Sequence, residues 1–235
     1  MCTVSFIPLE DRAVITSNRD EHSSRATALF PKVSLVNGKQ LLFPKDPQGG
    51  GTWFAIQQDK AVVVLLNGAE EKHEPNPPYR KSRGLIVLEM ASSDNPESLW
   101  EGIDLDKIEP FTMVLFFNGE LSQLRWNGSE KNKQRLSAQT SHFWSSSTLY
   151  SEAVRDQRHH WFQNFLQFRD VSEDSILDFH KYTNEEDQEN GLVINRKSGI
   201  RTQSICQAVC ELNRIELMYE DLPSKKSKKI NAFTV

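Results

Sequence analysis

The dipeptide Asn-Gly occurs five times, at Asn37, Asn67, Asn118, Asn127 and Asn190, and it limits most tightly what this chain can fold into. A two-residue hairpin loop needs positive φ at both central positions, which asparagine tolerates and glycine adopts freely. In KVSLVNGKQLLF and FTMVLFFNGELSQLRW the pair lies between apolar runs, and each stretch is predicted to be a β-hairpin. A chain punctuated in this way builds antiparallel sheet.

Further strands are expected from Cys2 to Leu9, from Ala13 to Ser17 after a turn at EDR, and twice within GGGTWFAIQQDKAVVVLLNG. Ala61 to Leu66 is apolar enough to be buried on both faces. Helical spacing appears in YRKSRGLIVLEMASS, again from about Pro96, and over Ser151–Phe168, where Val154, Trp161, Phe165 and Phe168 approximate one stripe. SEDSILDFHKYT gives a shorter helix, and GLVINR, RTQSICQAVCEL and IELMYED return to strand. Groups of strands flanking groups of helices indicate an α+β class with mostly antiparallel sheet. We expect one domain over residues 1–222, followed by a basic, solvated tail over 223–235 in which the periodicity stops.

The 235 residues can bury a sizeable core. The net charge of -4 argues against a general nucleic-acid binder, which needs a basic surface. No apolar run approaches the ~20 residues of a membrane span, and a basic segment leading into a long apolar one is missing from the N-terminus. With three cysteines, an odd number, the expected compartment is the reducing cytoplasm. Cys206 and Cys210 fall on one face of a strand ~13 Å apart, which suits neither a disulfide nor a metal site. His159-His160 lacks a second ligand pair at zinc spacing, so no metal is expected.

Chemistry is concentrated at the N-terminus. Methionine before a small residue is commonly removed, and removal here leaves Cys2 with a free α-amine. A thiolate is a good nucleophile, and an α-amine with a reference pKa of about 7.7–8.0 is a suitable base, so one residue supplies both. The alternative is a small buried thiol. A strand returning antiparallel to the first would bring SNRDEHSSR, Ser17 to Arg25, beside Cys2. Asp20 could then hold the amine, and Arg19 or Arg25 could balance its charge or grip an acidic substrate. Taken alone, the stretch also reads as a solvated turn.

MCTVSF followed by SNRDE, GGGTWFAI, LLNG and SRG, with GIRTQS near the C-terminus, resembles the NRDE family, relatives of transport and Golgi organisation protein 2. The resemblance implies a four-layer αββα N-terminal nucleophile hydrolase-like sandwich of two mainly antiparallel sheets. It also implies kinship with cysteine-type bile-salt hydrolases, penicillin V acylase and acid ceramidase-like amidases. On that footing Cys2 is the nucleophile, Asp20 holds its amine, Asn67 offers its amide to the oxyanion, and Arg201 is a late active-site arginine. Such amidases usually carry arginine three residues before the aspartate; here that residue is Ser17, and the arginine is Arg19.

Asn18, Arg19, Trp53 and Arg83 are the candidate substrate contacts. Each has a plainer reading: Trp53 as core, Arg83 in a first helical turn, and Asn67 as one more hairpin residue. Gly50 and Gly51 allow close approach of a ligand or of a neighbouring strand. The expected activity is cleavage of a non-peptide amide or acyl bond through a Cys2 acyl-enzyme, with no cofactor, or acyl transfer by the same chemistry. The alternative is a non-catalytic carrier of haem or an acyl lipid, and a third reading is a structural domain with an inactive site. The expected partner is a small amide, acyl or haem ligand.

Overall fold

A computed structural model describes residues 3–58, 61–212 and 214–232. In chain order the elements are β1 (Thr3–Leu9), β2 (Arg12–His22), β3 (Leu29–Val36), β4 (Lys39–Lys45), β5 (Phe54–Gln57), β6 (Ala61–Asn67), α1 (Arg83–Ala91) and α2 (Pro96–Gly102). Then come β7 (Phe111–Phe117), β8 (Glu120–Trp126), β9 (Lys131–Leu136), β10 (His142–Ser145), α3 (Glu152–Phe168), α4 (Glu173–Tyr182), β11 (Ile200–Glu211), β12 (Arg214–Asp221) and β13 (Lys226–Ala232). The backbone forms two compact units, one carrying β1, β2, β10–β13, α3 and α4, the other β3–β9 with α1 and α2.

In the first unit the sheet order is β10-β1-β2-β11-β12-β13. The pairings from β10 to β12 are antiparallel. Strand alternation sends Thr3, Ser5 and Ile7 towards the helices, where they meet Arg158, His180 and a cluster containing Phe162 and Phe165. That cluster also takes in Val14, Ile176, Phe179, Leu192 and Val209. Its aromatic rings interlock: Phe165 stacks on Phe179 at 4.8 Å and Phe143 on Phe162 at 4.9 Å. Each such buried ring contributes about 1.5–3 kcal/mol.

Both helices start on serine caps. Ser151 accepts from Val154 N, and Ser172 with Ser175 forms a reciprocal capping box. The buried face of α3 differs from the expected stripe, for it is Arg158, Phe162 and Phe165 that are buried, whereas Phe168 is 71% exposed. An inward-facing arginine takes a position that an apolar periodicity passes over.

The second unit is a seven-stranded antiparallel meander, β3 to β9 in sequence order. Asn37-Gly38 and Asn118-Gly119 have φ of 49°, 78°, 50° and 79°, as two-residue hairpins require. β6, flanked by β5 and β7, is buried from Ala61 to Leu66. Gly51 and Gly84 allow the β4–β5 connection to press on the start of α1. A Cβ on Gly51 would lie 2.2 Å from the Gly84 carbonyl carbon, and Thr52 N donates to Gly84 O at 3.2 Å.

Four expectations change. β2 runs on through His22 because β11 pairs along its whole length, so Ser17–Asp20 is buried strand and not a solvated turn. GLVINR is no strand: the Ile194 N–H and carbonyl are both taken by Thr202, which leaves one isolated Asn195–Arg201 bridge. β9, exposed and polar, carries no hydrophobic signal, and β10 is too short for Phe143 and Trp144 to show a strand period, so neither is expected from the sequence. The basic tail contributes β13 at the sheet edge, where lysines suit a strand that must discourage further pairing. No described helix is long and apolar enough to cross a membrane.

Candidate active site

Cys2 lies outside the described residues. Thr3, next in sequence, opens β1 and pairs with Asn18 on β2. Two residues further along β2, Asp20 pairs with Thr202 on β11 and is 2% exposed. Its carboxylate is gripped by hydroxyls from two distant segments. Tyr150 Oη donates to Oδ2 at 2.7 Å, and Thr202 Oγ1 donates to Oδ1 at 2.6 Å. Thr202 Oγ1 in turn accepts from Ile194 N at 2.9 Å, which fixes the hydroxyl's direction. Charge-assisted bonds of this kind are about twice as strong as neutral ones.

Behind Tyr150 stands Arg158 of α3, fully buried. Its guanidinium lies 3.5 Å from the Tyr150 ring centroid. Nε donates to Asn190 O at 3.0 Å, one terminal nitrogen to Thr3 Oγ1 at 2.9 Å, and the other to Gly191 O.

Asn18 faces the same side. Its Nδ2 donates to His180 O at 3.0 Å and Leu192 O at 2.8 Å, so its Oδ1 must be the acceptor for His180 Nδ1 at 2.6 Å. That choice puts the His180 proton on Nδ1 and leaves Nε2 to accept from Ser5 Oγ at 2.8 Å. Burial, helped by the nearby Arg158 cation, lowers the His180 pKa to about 3, so the imidazole is neutral. Both ends of the Asn18 amide are thus committed within the protein.

The opposite face of the sheet carries a second polar row. Ser17 pairs with Cys206 and Cys206 with Tyr219, while Arg19 pairs with Ser204 and Ser204 with Asp221. Arg19 is 4% exposed, with a terminal nitrogen 3.8 Å from Glu21 Oε2. Burial raises the Tyr219 pKa. Ser17 Oγ is buried without a hydrogen-bond partner among the described residues, and so is Nε of Arg201, which pairs with Glu21 at the start of β11.

Asn67, Trp53 and Arg83 belong to the second unit. Asn67 ends β6 opposite Phe111. Pro110 O, the carbonyl before Phe111, accepts from Gly68 N at 3.1 Å and from an Arg83 terminal nitrogen at 3.1 Å, which ties Arg83 to the Asn67-Gly68 turn. The other terminal nitrogen of Arg83 lies 2.9 Å from Glu109 Oε2. Trp53 is 3% exposed and accepts at its carbonyl from Leu65 N.

At one end of β2 and β11 the structure therefore places Asn18 and Asp20 on one face of the sheet and Arg19 and Arg201 on the other, and it groups Asn67 with Arg83 around Pro110. Sequence reasoning missed Tyr150, Arg158, His180 and Thr202, whose partners lie on other segments and leave no local motif. Among the described residues no three His, Cys, Asp or Glu side chains converge as metal ligands.

Among solved structures, the chain is similar to two variant forms of the conjugated bile acid hydrolase of Clostridium perfringens. Identity is 10% in both, with TM-scores of 0.55 and 0.56 over 98% of this chain and 92% of that one. It is also similar to the Caenorhabditis elegans ortholog of N-acylethanolamine-hydrolyzing acid amidase, at 10% identity and TM-score 0.52, over 88% of this chain and 92% of that one. The fold is thus the α+β fold of N-terminal nucleophile hydrolases, with two antiparallel sheets. The sequence pattern of the Transport and Golgi organisation 2 family matches residues 1–214, and the chain belongs to that family. None of the curated proteins matches it.

Proposed function

We propose that this protein is an N-terminal cysteine hydrolase that cleaves a non-peptide amide or related acyl bond through a Cys2 acyl-enzyme. The observation that carries the reading is Asp20: a buried carboxylate, held by Tyr150 and Thr202, two residues beyond the partner of Thr3. A carboxylate so placed suits the role of holding an α-amine on the residue before Thr3. Arg201 Nε, buried and unpartnered among the described residues, supports a group waiting for an acidic or carbonyl ligand.

In the proposed mechanism the Cys2 amine takes the thiol proton, and sulfur attacks the substrate carbonyl carbon. The oxyanion is met by a backbone N–H, a donor worth about 3 kcal/mol in such a role. The C–N bond breaks as the ammonium returns its proton to the leaving amine, which leaves a thioester. Water, deprotonated by the same amine, attacks the thioester and releases the acid, and the proton passes back to sulfur.

The test is the intact mass of natively expressed protein, before and after an electrophilic acyl-mimicking probe, beside Cys2→Ala. Loss of the methionine mass with one adduct confined to Cys2 supports the reading. Retained Met1, or labelling no faster than an ordinary free thiol, overturns it and favours a carrier that binds haem or an acyl lipid without turnover.

A further inference from the structure

Arg158 is fully buried, yet among the described residues it has no ion-pair partner, only three oxygen acceptors and an aromatic face. Removing a guanidinium from water without a counter-ion costs stability, and a shape-matched apolar side chain would often serve packing as well or better. What distinguishes this arginine is what it touches. One terminal nitrogen holds Thr3 Oγ1, on the residue that follows Cys2 in sequence. Its flat face lies on the Tyr150 ring, and the hydroxyl of that same ring holds Asp20. The guanidinium is anchored from behind by the carbonyls of Asn190 and Gly191, so it cannot follow either partner if that partner moves.

We infer that Arg158 is the positioning residue of the N-terminal site, fixing the residue after Cys2 and the Asp20 carboxylate to one rigid point. The inference rests on the proposed role of Cys2 and Asp20. A cation against the face of a phenol draws electron density from the ring and makes its O–H a stronger donor. Tyr150, whose ring centroid lies 3.5 Å from the Arg158 guanidinium and 5.0 Å from that of Arg196, therefore transmits charge to Asp20 as well as geometry, with Arg158 the nearer cation. Loss of the Tyr150 hydroxyl leaves more negative charge on Asp20; that alters the balance of the ammonium formed when the amine takes the thiol proton, and so shifts the pH at which the Cys2 thiolate appears.

The test is the pH dependence of Cys2 alkylation by iodoacetamide, followed by peptide mass, in wild type and four variants. Tyr150→Phe keeps the ring and the cation contact but removes the hydroxyl. The midpoint is expected to shift by about one pH unit. Thr3→Val, which removes the acceptor of the Arg158 terminal nitrogen, is expected to shift the profile, whereas Thr3→Ser, which keeps the hydroxyl, restores it. Phe162→Leu, a core change on the same helix that leaves the polar chain intact, is expected to keep the wild-type midpoint.

Coincident profiles for Tyr150→Phe, Thr3→Val and wild type overturn the inference, as does an equal shift in Phe162→Leu. The hydrolase reading fails separately, if wild type retains Met1 or reacts no faster than a peptide with the same first residues. In that case the displacement between variants and wild type still decides the role of Arg158.

Discussion

Thr202 Oγ1 donates to Asp20 Oδ1 at 2.6 Å while accepting from the Ile194 backbone N–H at 2.9 Å, so one hydroxyl closes a loop onto a buried carboxylate. Thr202→Val keeps the shape but removes one hydrogen bond from each of two buried groups, the Asp20 carboxylate and the Ile194 N–H. We predict a loss of about 1–3 kcal/mol in urea unfolding, with Thr202→Ser near wild type. A Thr202→Val midpoint equal to wild type would show that water replaces the hydroxyl.

His180 makes stability depend on pH with a definite sign. Its pKa falls from 6.5 to about 3 on folding, chiefly through burial and secondly through the Arg158 cation. Between those values the unfolded chain binds a proton that the native state does not, so stability falls as pH drops below 6.5 and is unaffected above it. At pH 5 the loss from this group is about 2 kcal/mol. Urea midpoints between pH 7 and 5 are expected to fall in wild type and to fall distinctly less in His180→Gln.

The Gly51–Gly84 approach predicts two unequal alanine substitutions. Gly51→Ala places a Cβ 2.2 Å from the Gly84 backbone, and neither segment can yield without moving β5 or α1. We expect a loss of about 3 kcal/mol or more. Gly102→Ala, at the end of α2 with nothing within 4 Å of the added carbon, should be neutral or slightly stabilising. Thermal midpoints of the two variants check the contrast.

Cys206 and Cys210 are buried, and burial pushes the Cys210 thiol up to about 12. Iodoacetamide at pH 8 should leave both unmodified in the native protein and label both once urea unfolds the chain. Peptide mass mapping reads this directly, and native labelling of either would contradict the packing of β11.

Much of the sheet architecture was legible. Asn37-Gly38 and Asn118-Gly119 name their hairpins because few other residues adopt positive φ twice in succession. Asp20 was legible as a candidate from its neighbours in sequence; the end of β2 was not, because a strand that carries polar side chains on both faces looks like a loop. Arg158 was invisible for the opposite reason. In an amphipathic helix a cation is assigned to solvent, and only the carbonyls at Asn190 and Gly191, over thirty residues later, turn it inward. The lysine- and arginine-bearing β9 hides for the same reason as β2's far end: pairing, not hydrophobicity, makes it a strand.

The sheet order has a consequence for the order of events during synthesis. β1 and β2 leave the ribosome first, but β10 and β11, which flank them, follow only after the whole second unit has been made. The chain between His22 and Ile200 takes roughly ten to forty seconds to translate at ordinary rates. For most of that interval Asp20 lacks Tyr150 and the first strand has one open edge, and Thr202 is missing for all of it. The hydrogen-bonded setting of the Asp20 carboxylate is thus completed only when the last third of the protein arrives.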